Sequence, residues 1–187
     1  MRLAPLLAAS ALAVAATAAS ASELDLNLSN DTVRVKYNQD LTSTGLEGNL
    51  HFLHNQDHGN VGGVGLHLVD DAVPGRGALD VGLGANAYLV DSKHGRADGG
   101  GLGVGGKFRY TWPTFNRLGI AGFGYYAPPV VAYDKVKDLY EYGLRVEYLI
   151  LRHAGAYVGF RQMKINVDHG DRFTFDSGFH VGMRLEF

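Results

Sequence analysis

A two-residue alternation over the last fifteen residues, 173–187, constrains the fold of this chain more than any other feature. Side chains of a β-strand point alternately to the two faces of its sheet, so the alternation sorts residues by face. One face is apolar and the other polar or small: the first holds Phe179, Val181, Met183, Leu185 and Phe187, and the second Gly178, His180, Gly182, Arg184 and Glu186. An apolar face that ends on an aromatic residue is typical of the closing strand of an outer-membrane barrel.

The same alternation recurs along the chain and predicts an all-β meander. It is clearest in 79–89, 102–112 and 140–150, and further strands are predicted at 46–54, 61–70, 118–126 and 156–166. Residues 24–37 form a predicted hairpin around the turn Ser29-Asn30-Asp31. We therefore expect an antiparallel up-and-down transmembrane β-barrel of ten strands, or of eight if the hairpin lies outside the wall.

The first residues predict export. Arg2 precedes an apolar run over 3–18, and Ala19-Ser20-Ala21 fits a signal-peptidase site, so 1–21 is a predicted signal peptide and 22–187 the barrel. No later stretch approaches the roughly 20 apolar residues that a spanning helix needs. The absence of cysteine excludes a disulfide scaffold, and a net charge of −2 gives no electrostatic footprint for nucleic acid.

Alternation alone does not decide which face looks outward, because a soluble barrel shares the same period. Two observations favour an outward apolar face. Aromatic residues lie towards the ends of that face, as a membrane-interface girdle requires: Tyr110, Trp112, Tyr126, Tyr140, Tyr148 and Phe187. Short connections at 73–75, 113–116 and 152–154, predicted to be periplasmic, alternate with more charged ones at 91–100, 127–138 and 168–171, predicted to lie outside.

With the apolar face outward, ten charged side chains point into the lumen. The predicted lumen charge network holds five acids and five bases: Asp80, Lys107, Arg109, Glu141, Arg145, Glu147, Arg161, Asp176, Arg184 and Glu186. Unpaired charge is costly in a low dielectric, so one interpretation is a paired network that fills a narrow interior. The other is a charged, water-filled pathway for small solutes. The first is favoured at ten strands, because barrels near eight strands have lumens that side chains can fill.

No motif in the sequence predicts a catalytic, metal or cofactor site. Residues 101–107 resemble the start of a phosphate-binding loop, but Phe108 replaces the required hydroxyl and the segment alternates as a strand. His51 and His54 fall on opposite faces of a strand, as do Ser177 and His180, so neither pair converges. We expect no cofactor, no metal and no enzymatic activity.

Several segments resemble, in the same order, the YfaZ family of outer-membrane proteins. They are 54–60 with 63–66, 125–128, 143–148 with 151–152, 159–161 and the closing 182–187. The resemblance covers nearly all of 22–187. It implies a Gram-negative envelope protein with a barrel or porin-like architecture, and it carries no catalytic residues to transfer.

These observations predict an integral protein of the cell outer membrane, porin-like or structural, with a charge-lined and plugged lumen. One alternative is a lipid-modifying enzyme whose site lies at the outer rim, for which His54, Ser177 and His180 are the candidates. Another is a soluble periplasmic barrel that binds an apolar ligand. The expected partners are outer-membrane lipids and, through the C-terminal strand, the barrel-assembly machinery; a monomer is favoured, and no nucleic acid is expected.

Overall fold

The computed structural model describes residues 22–72, 79–93, 97–167 and 172–187. The predicted signal peptide at 1–21 and the predicted connections at 73–75 and 168–171 lie outside these residues. The described strands are β1 Ser22–Leu28, β2 Thr32–Asp40, β3 Leu46–Asn55, β4 Gly59–Asp71, β5 Leu79–Ser92, β6 Gly99–Thr111, β7 Leu118–Ala127, β8 Ala132–Asp134, β9 Val136–Leu151, β10 Ala154–Val167 and β11 Arg172–Glu186.

The strands close into an antiparallel barrel. Neighbours in sequence pair from β1 to β7, then β7 pairs with β9, β9 with β10 and β10 with β11, and β11 returns to β1. Among the described residues, the three-residue β8 pairs only with the start of β6 and lies beside the wall rather than in it. The wall therefore has ten strands, which confirms that prediction. The eight-strand alternative is wrong, because β1 and β2 both carry ladder hydrogen bonds in the wall.

The apolar face of each strand points out of the barrel. Leu83 is 68% exposed and Val104 56% exposed, whereas Arg109 and Arg145 project into the lumen and form ion pairs there. A soluble barrel needs the reverse arrangement, so that alternative is wrong. The outward apolar band instead matches the lipid-facing surface of a transmembrane barrel.

The barrel has two distinct ends, which we call the terminus end and the loop end. Ser22 and Phe187 exchange backbone hydrogen bonds of 2.9 Å at the terminus end. The connections at 113–116 and 152–154 lie at this end, and the connection at 127–138 and the described residues of 91–100 lie at the loop end. The loop-end connection between β7 and β9 contains a short 3₁₀ helix, Pro129–Val131, followed by β8.

The six aromatic residues assigned to the membrane interface lie in two bands. Tyr110, Trp112, Tyr148 and Phe187 lie near the terminus end, and Tyr110 contacts Trp112 edge to face with ring centroids 5.3 Å apart. Tyr126 and Tyr140 are register partners near the loop end. No helix among the described residues is long and apolar enough to cross a membrane.

A β-bulge in β11 breaks the two-residue period. The register with β10 shifts between Met163 and Lys164, so Asp176 pairs with Met163, Thr174 pairs with Lys164, and Phe175 is left between them. Phe175 and Asp176 are consequently both buried inside the barrel. The bulge places an aromatic ring and a carboxylate side by side in the lumen.

Candidate functional site: the lumen

The lumen changes character along its axis, and its loop-end half is mainly apolar, with Thr32, Asn55 and Ser92 as buried polar residues. Fully buried side chains from β3, β4, β5, β9, β10 and β11 contact one another there. They form the apolar plug, which consists of Leu53, Val61, Val90, Leu139, Met163, Ile165 and Phe175. Val61, Leu139, Ile165 and Phe175 are each 0% exposed. Because strands from opposite sides of the wall contribute to one cluster, the plug extends across the lumen.

The terminus-end half is charged, and the predicted network lies here and just beneath the plug. Nine of the ten predicted residues form ion pairs in the structure: Lys107, Arg109, Glu141, Arg145, Glu147, Arg161, Asp176, Arg184 and Glu186. Asp80, at the start of β5, is partly exposed and forms no ion pair with another described residue. Seven of the nine pair with another member of the predicted set, and five pair with a residue outside it.

Carboxylates of β1 organise the charges near the terminus end. Glu23 Oε2 accepts hydrogen bonds from Arg109 at 3.1 Å and from Arg184 at 3.2 Å. Asp25 accepts from the Tyr157 hydroxyl and from Arg145, whose guanidinium carbon lies 4.4 Å from the centroid of the Tyr157 ring. The first strand of the barrel is therefore tied through the lumen to β9, β10 and β11, besides its backbone pairing with β11.

Two further ion pairs, Arg161 with Asp176 and Arg34 with Glu141, lie deeper, against the plug. Arg161 donates from Nε to Asp176 at 2.6 Å and from Nη1 to Asn27 at 2.9 Å. Thr32 donates to the other Asp176 oxygen at 2.8 Å. Arg161 is 1% exposed, so its charge is compensated entirely by protein groups.

A chain of hydrogen bonds crosses the lumen beside these pairs. The Glu141 carboxylate forms an ion pair with Arg34 Nη1 at 2.8 Å and accepts a hydrogen bond from the Tyr88 hydroxyl at 3.0 Å. Tyr88 Oη accepts from Asn86 at 3.5 Å, and Asn86 Oδ1 accepts from Asn49 at 3.2 Å. We call this set, Arg34, Asn49, His51, Asn86, Tyr88 and Glu141, the polar layer. It joins β2, β3, β5 and β9 and lies directly beneath the apolar plug.

The partners of the two histidines near this layer assign their tautomers. Asn49 uses its amide nitrogen towards Asn86 and towards His67 Nδ1 at 3.1 Å, so its oxygen accepts from His51 Nδ1 at 3.2 Å. His67 Nδ1 is then an acceptor, and its Nε2 donates to the Tyr125 hydroxyl at 2.8 Å. The His67 ring is therefore a neutral member of this hydrogen-bonded wall.

A cavity of about 980 Å³ occupies the terminus-end half. Its lining runs from the rim residues Ser22, Asp40 and Phe187 down to the polar layer at Arg34 and His51. Asp40 and Phe187 are exposed, so the cavity opens at the terminus end. The plug residues do not line it.

Small residues on the inner face make room for large ones on neighbouring strands. A Cβ on Gly182 would collide with the ring of Tyr157, which lies over that glycine on its way to Asp25. A Cβ on Gly63 would collide in the same way with His51. On the opposite wall, Ala121 has only a methyl group facing inward, and there the space remains as cavity.

The predicted set lacked several lumen charges, all on the first three strands. Glu23, Asp25, Arg34, Lys36 and Glu47 point inward and line the cavity. The signal for them was present, because Glu23 and Asp25 alternate with Leu24 and Leu26, and Arg34 and Lys36 alternate with Val33 and Val35. Four of these five residues, Glu23, Asp25, Arg34 and Glu47, take part in five of the ten ion pairs among the described residues.

The other candidate sites do not come together. Ser177 lies on the outer face of β11, where it accepts a hydrogen bond from Gln162, and His54 lies on β3 with its ring bonded to Asn60, whereas His180 is buried inside. Residues 101–107 form part of the strand β6. Among the described residues no group of three histidine or carboxylate side chains could hold a metal ion.

Comparison with solved structures supports the fold. The outer-membrane protease OmpT from Escherichia coli superposes with a TM-score of 0.57 at 11% identity, over 90% of this chain and 93% of that one. The KdgM and NanC porins give TM-scores of 0.47 and 0.48 at 11% and 8% identity, over 89% and 90% of this chain and 99% and 100% of theirs. At such identities the OmpT match establishes the barrel architecture alone.

Comparison with known sequences identifies the family. Outer membrane protein YfaZ of Escherichia coli strain K12 is 26% identical over 162 residues, which cover 83% of this chain and 81% of that protein. The family model described as YfaZ precursor matches residues 1–187. Together with the ten-strand barrel and its outward apolar face, these matches show that the chain is an outer-membrane β-barrel protein that belongs to the YfaZ family.

Proposed function

We propose that this protein is a closed outer-membrane barrel with a structural role in the cell envelope. Its lumen opens as a cavity on one side of the membrane and does not form a diffusion pore. The observation that carries the proposal is the apolar plug across the loop-end half of the lumen. The cavity at the terminus end is then closed at its inner end, and we place its mouth on the periplasmic side because the longest connection, 128–135 between β7 and β9, lies at the opposite end.

The plug supports closure because an ion would have to lose its hydration to pass it. Voids lined only by apolar side chains stay dry, and apolar constrictions block conduction by excluding water. The plug side chains are almost wholly inaccessible, with Leu53 and Met163 each 1% exposed. Beneath them, Arg34 and Glu141 pair with each other, so no unpaired charge is available there to replace lost hydration.

The proposal gives the chain no catalytic role, and it keeps the partners that the sequence suggests. His54, Ser177 and His180, the candidates for lipid modification, lie on different faces or strands. The outward apolar band suits outer-membrane lipids, and β11 presents the aromatic-ended face expected for the barrel-assembly machinery. We propose a monomer.

Conductance in a planar bilayer tests closure. The mature protein is expected to give no conductance steps, and the double variant Leu139→Ala, Ile165→Ala is expected to give them because it removes a facing pair from the plug. The matched control is Val146→Ala, Val158→Ala, a facing pair on the same two strands that points outward. It is expected to behave like the unmodified protein.

Two results would contradict the proposal. Stable conductance steps in the unmodified protein would show an open pathway through the plug. Steps of equal size in both double variants would show that ions do not pass where the plug lies. A heat-dependent shift in gel mobility verifies that each variant is a folded barrel.

A further inference from the structure

We propose that the cavity binds a small carboxylate with an apolar body, with the carboxylate on Lys36 and the body against Ala121 and Phe123. All three residues line the cavity. The inference rests on the closed-barrel proposal only in assuming that ligand enters from the terminus end. It concerns binding rather than conduction, so each proposal can fail separately.

The ammonium group of Lys36 is the first reason. Among the described residues, every other inward lysine or arginine has a carboxylate oxygen within 4 Å, and Lys36 has none. Lys36 also has no hydrogen bond to a described side chain. A mostly enclosed cation without a counter-charge is expensive, so an anionic group beside it would be stabilised.

The acids nearest to Lys36 are committed to other partners. Asp25 is its register neighbour on β1, but the Asp25 carboxylate is held by Tyr157 and Arg145. Both oxygens of Glu47 lie 2.6 Å from Lys107 Nζ. Glu23, further towards the rim, is similarly held by Asn38, Arg109 and Arg184.

The wall across from Lys36 supplies the apolar surface. One inward position nearer the loop end, Arg34 on β2 meets Phe123 on β7 across the lumen, with its guanidinium carbon 5.4 Å from the ring centroid. At the next position towards the terminus end the same strands carry Lys36 and Ala121. Because alanine is short, the space that a larger side chain would fill stays open, and it forms part of the cavity.

These two surfaces define the ligand class. A carboxylate accepts charge-assisted hydrogen bonds from an ammonium group, and an apolar body gains by leaving water for Ala121 and the Phe123 ring. The cavity volume of about 980 Å³ accommodates a drug-sized molecule. Benzoate has both features, benzyl alcohol lacks the charge, and inorganic phosphate lacks the body.

Titration calorimetry on the full mature barrel in detergent tests the inference with these three probes. Benzoate is expected to bind saturably, and Lys36→Met is expected to weaken binding by roughly tenfold or more, since a hydrogen bond to a charged group is lost. Lys137→Met is the matched control, because it removes an exposed lysine charge at the loop end. It is expected to bind benzoate as the unmodified protein does.

Ala121→Leu provides a second test that leaves Lys36 in place. The larger side chain fills the apolar half of the site and is expected to abolish benzoate binding while the heat-dependent gel shift of a folded barrel is kept. No saturable benzoate binding, or equal binding to Lys36→Met and Lys137→Met, would overturn the inference. Phosphate or benzyl alcohol binding as tightly as benzoate would also overturn it. None of these results depends on whether the barrel conducts.

Discussion

The two halves of the lumen solve the same packing problem in opposite ways. Near the loop end, apolar side chains from many strands meet and exclude water, as in the core of a soluble protein. Near the terminus end, paired charges line the wall and leave a cavity of about 980 Å³. The difference shows that an alternating inner face in a small barrel does not by itself indicate a pore, because its inward residues can change from polar to apolar along the axis.

The largest expected effect lies at the boundary between the halves. Glu141→Gln leaves the Arg34 charge buried without its partner, so we expect the free energy of unfolding to fall by about 3–5 kcal/mol. Urea unfolding in lipid vesicles measures it. Asp80→Asn, at the rim, is the control and is expected to change little. A loss as large for Asp80→Asn as for Glu141→Gln would contradict the assignment of Glu141 to a buried pair.

The apolar plug should behave as a packed core. Leu53→Ala removes a side chain that is 1% exposed and is expected to lower the free energy of unfolding by about 2–5 kcal/mol, because it leaves a cavity. Leu50→Ala on the same strand, at a lipid-facing position, is expected to cost less, since acyl chains fill the space. The same unfolding experiment compares them, and equal losses would argue against tight packing in the plug.

Close packing in the charged half can be tested with two glycines on the inner face of β11. Gly182→Ala places a Cβ against the Tyr157 ring and is expected to cost about 1–3 kcal/mol. Gly178→Ala meets nothing within 4 Å and is expected to be nearly neutral. Thermal melting followed by the gel-mobility shift separates the two variants. A neutral Gly182→Ala would mean that Tyr157 moves freely, which its bond to Asp25 opposes.

The smallest effect is expected near the mouth of the cavity. Glu47→Gln breaks the ion pair with Lys107. The Glu47 side chain is 12% exposed and the Lys107 side chain 22% exposed. Because water and salt reach this pair, the expected loss is about 1 kcal/mol or less and shrinks as salt is added. Repeating the unfolding experiment at low and high salt measures this. The loss of unfolding free energy caused by Glu141→Gln should change less with salt. If it changed more than the loss caused by Glu47→Gln, the assignment of Glu141 to the buried layer and of Glu47 to the mouth would be contradicted.

The wall of the barrel could be predicted from the sequence, but the filling of its lumen could be predicted only in part. Alternation identified ten strands and the outward face, since period two reports orientation directly. It also put Leu53 on the same face as His51, yet nothing in the period indicates that the lumen becomes apolar between them. Phe175 points inward only because of the bulge in β11, which interrupts the period.

The partners in each ion pair could not be predicted from the sequence, for a different reason. Asp25 and Arg145 are 120 residues apart, and they meet because closure of the barrel fixes the register of β1 against β11. Alternation says which way a side chain points but not how far along the axis it lies. The charges of β1 and β2 could have been read as inward from their apolar neighbours, but their partners could not have been assigned.

The seam between the first and last strands has a mechanical consequence. Only six register pairs join β1 to β11, but carboxylates of β1 also reach beneath the wall to arginines on β9 and β11, and Asn27 receives Arg161 from β10. Lateral separation of these two strands would expose several unpaired charges to the hydrocarbon region of the membrane at the same time. A lipid molecule or an unfolded strand that enters the barrel from the side would therefore pass more easily between strands that have no such ion pairs across the lumen. The β1–β11 junction should be among the last to open.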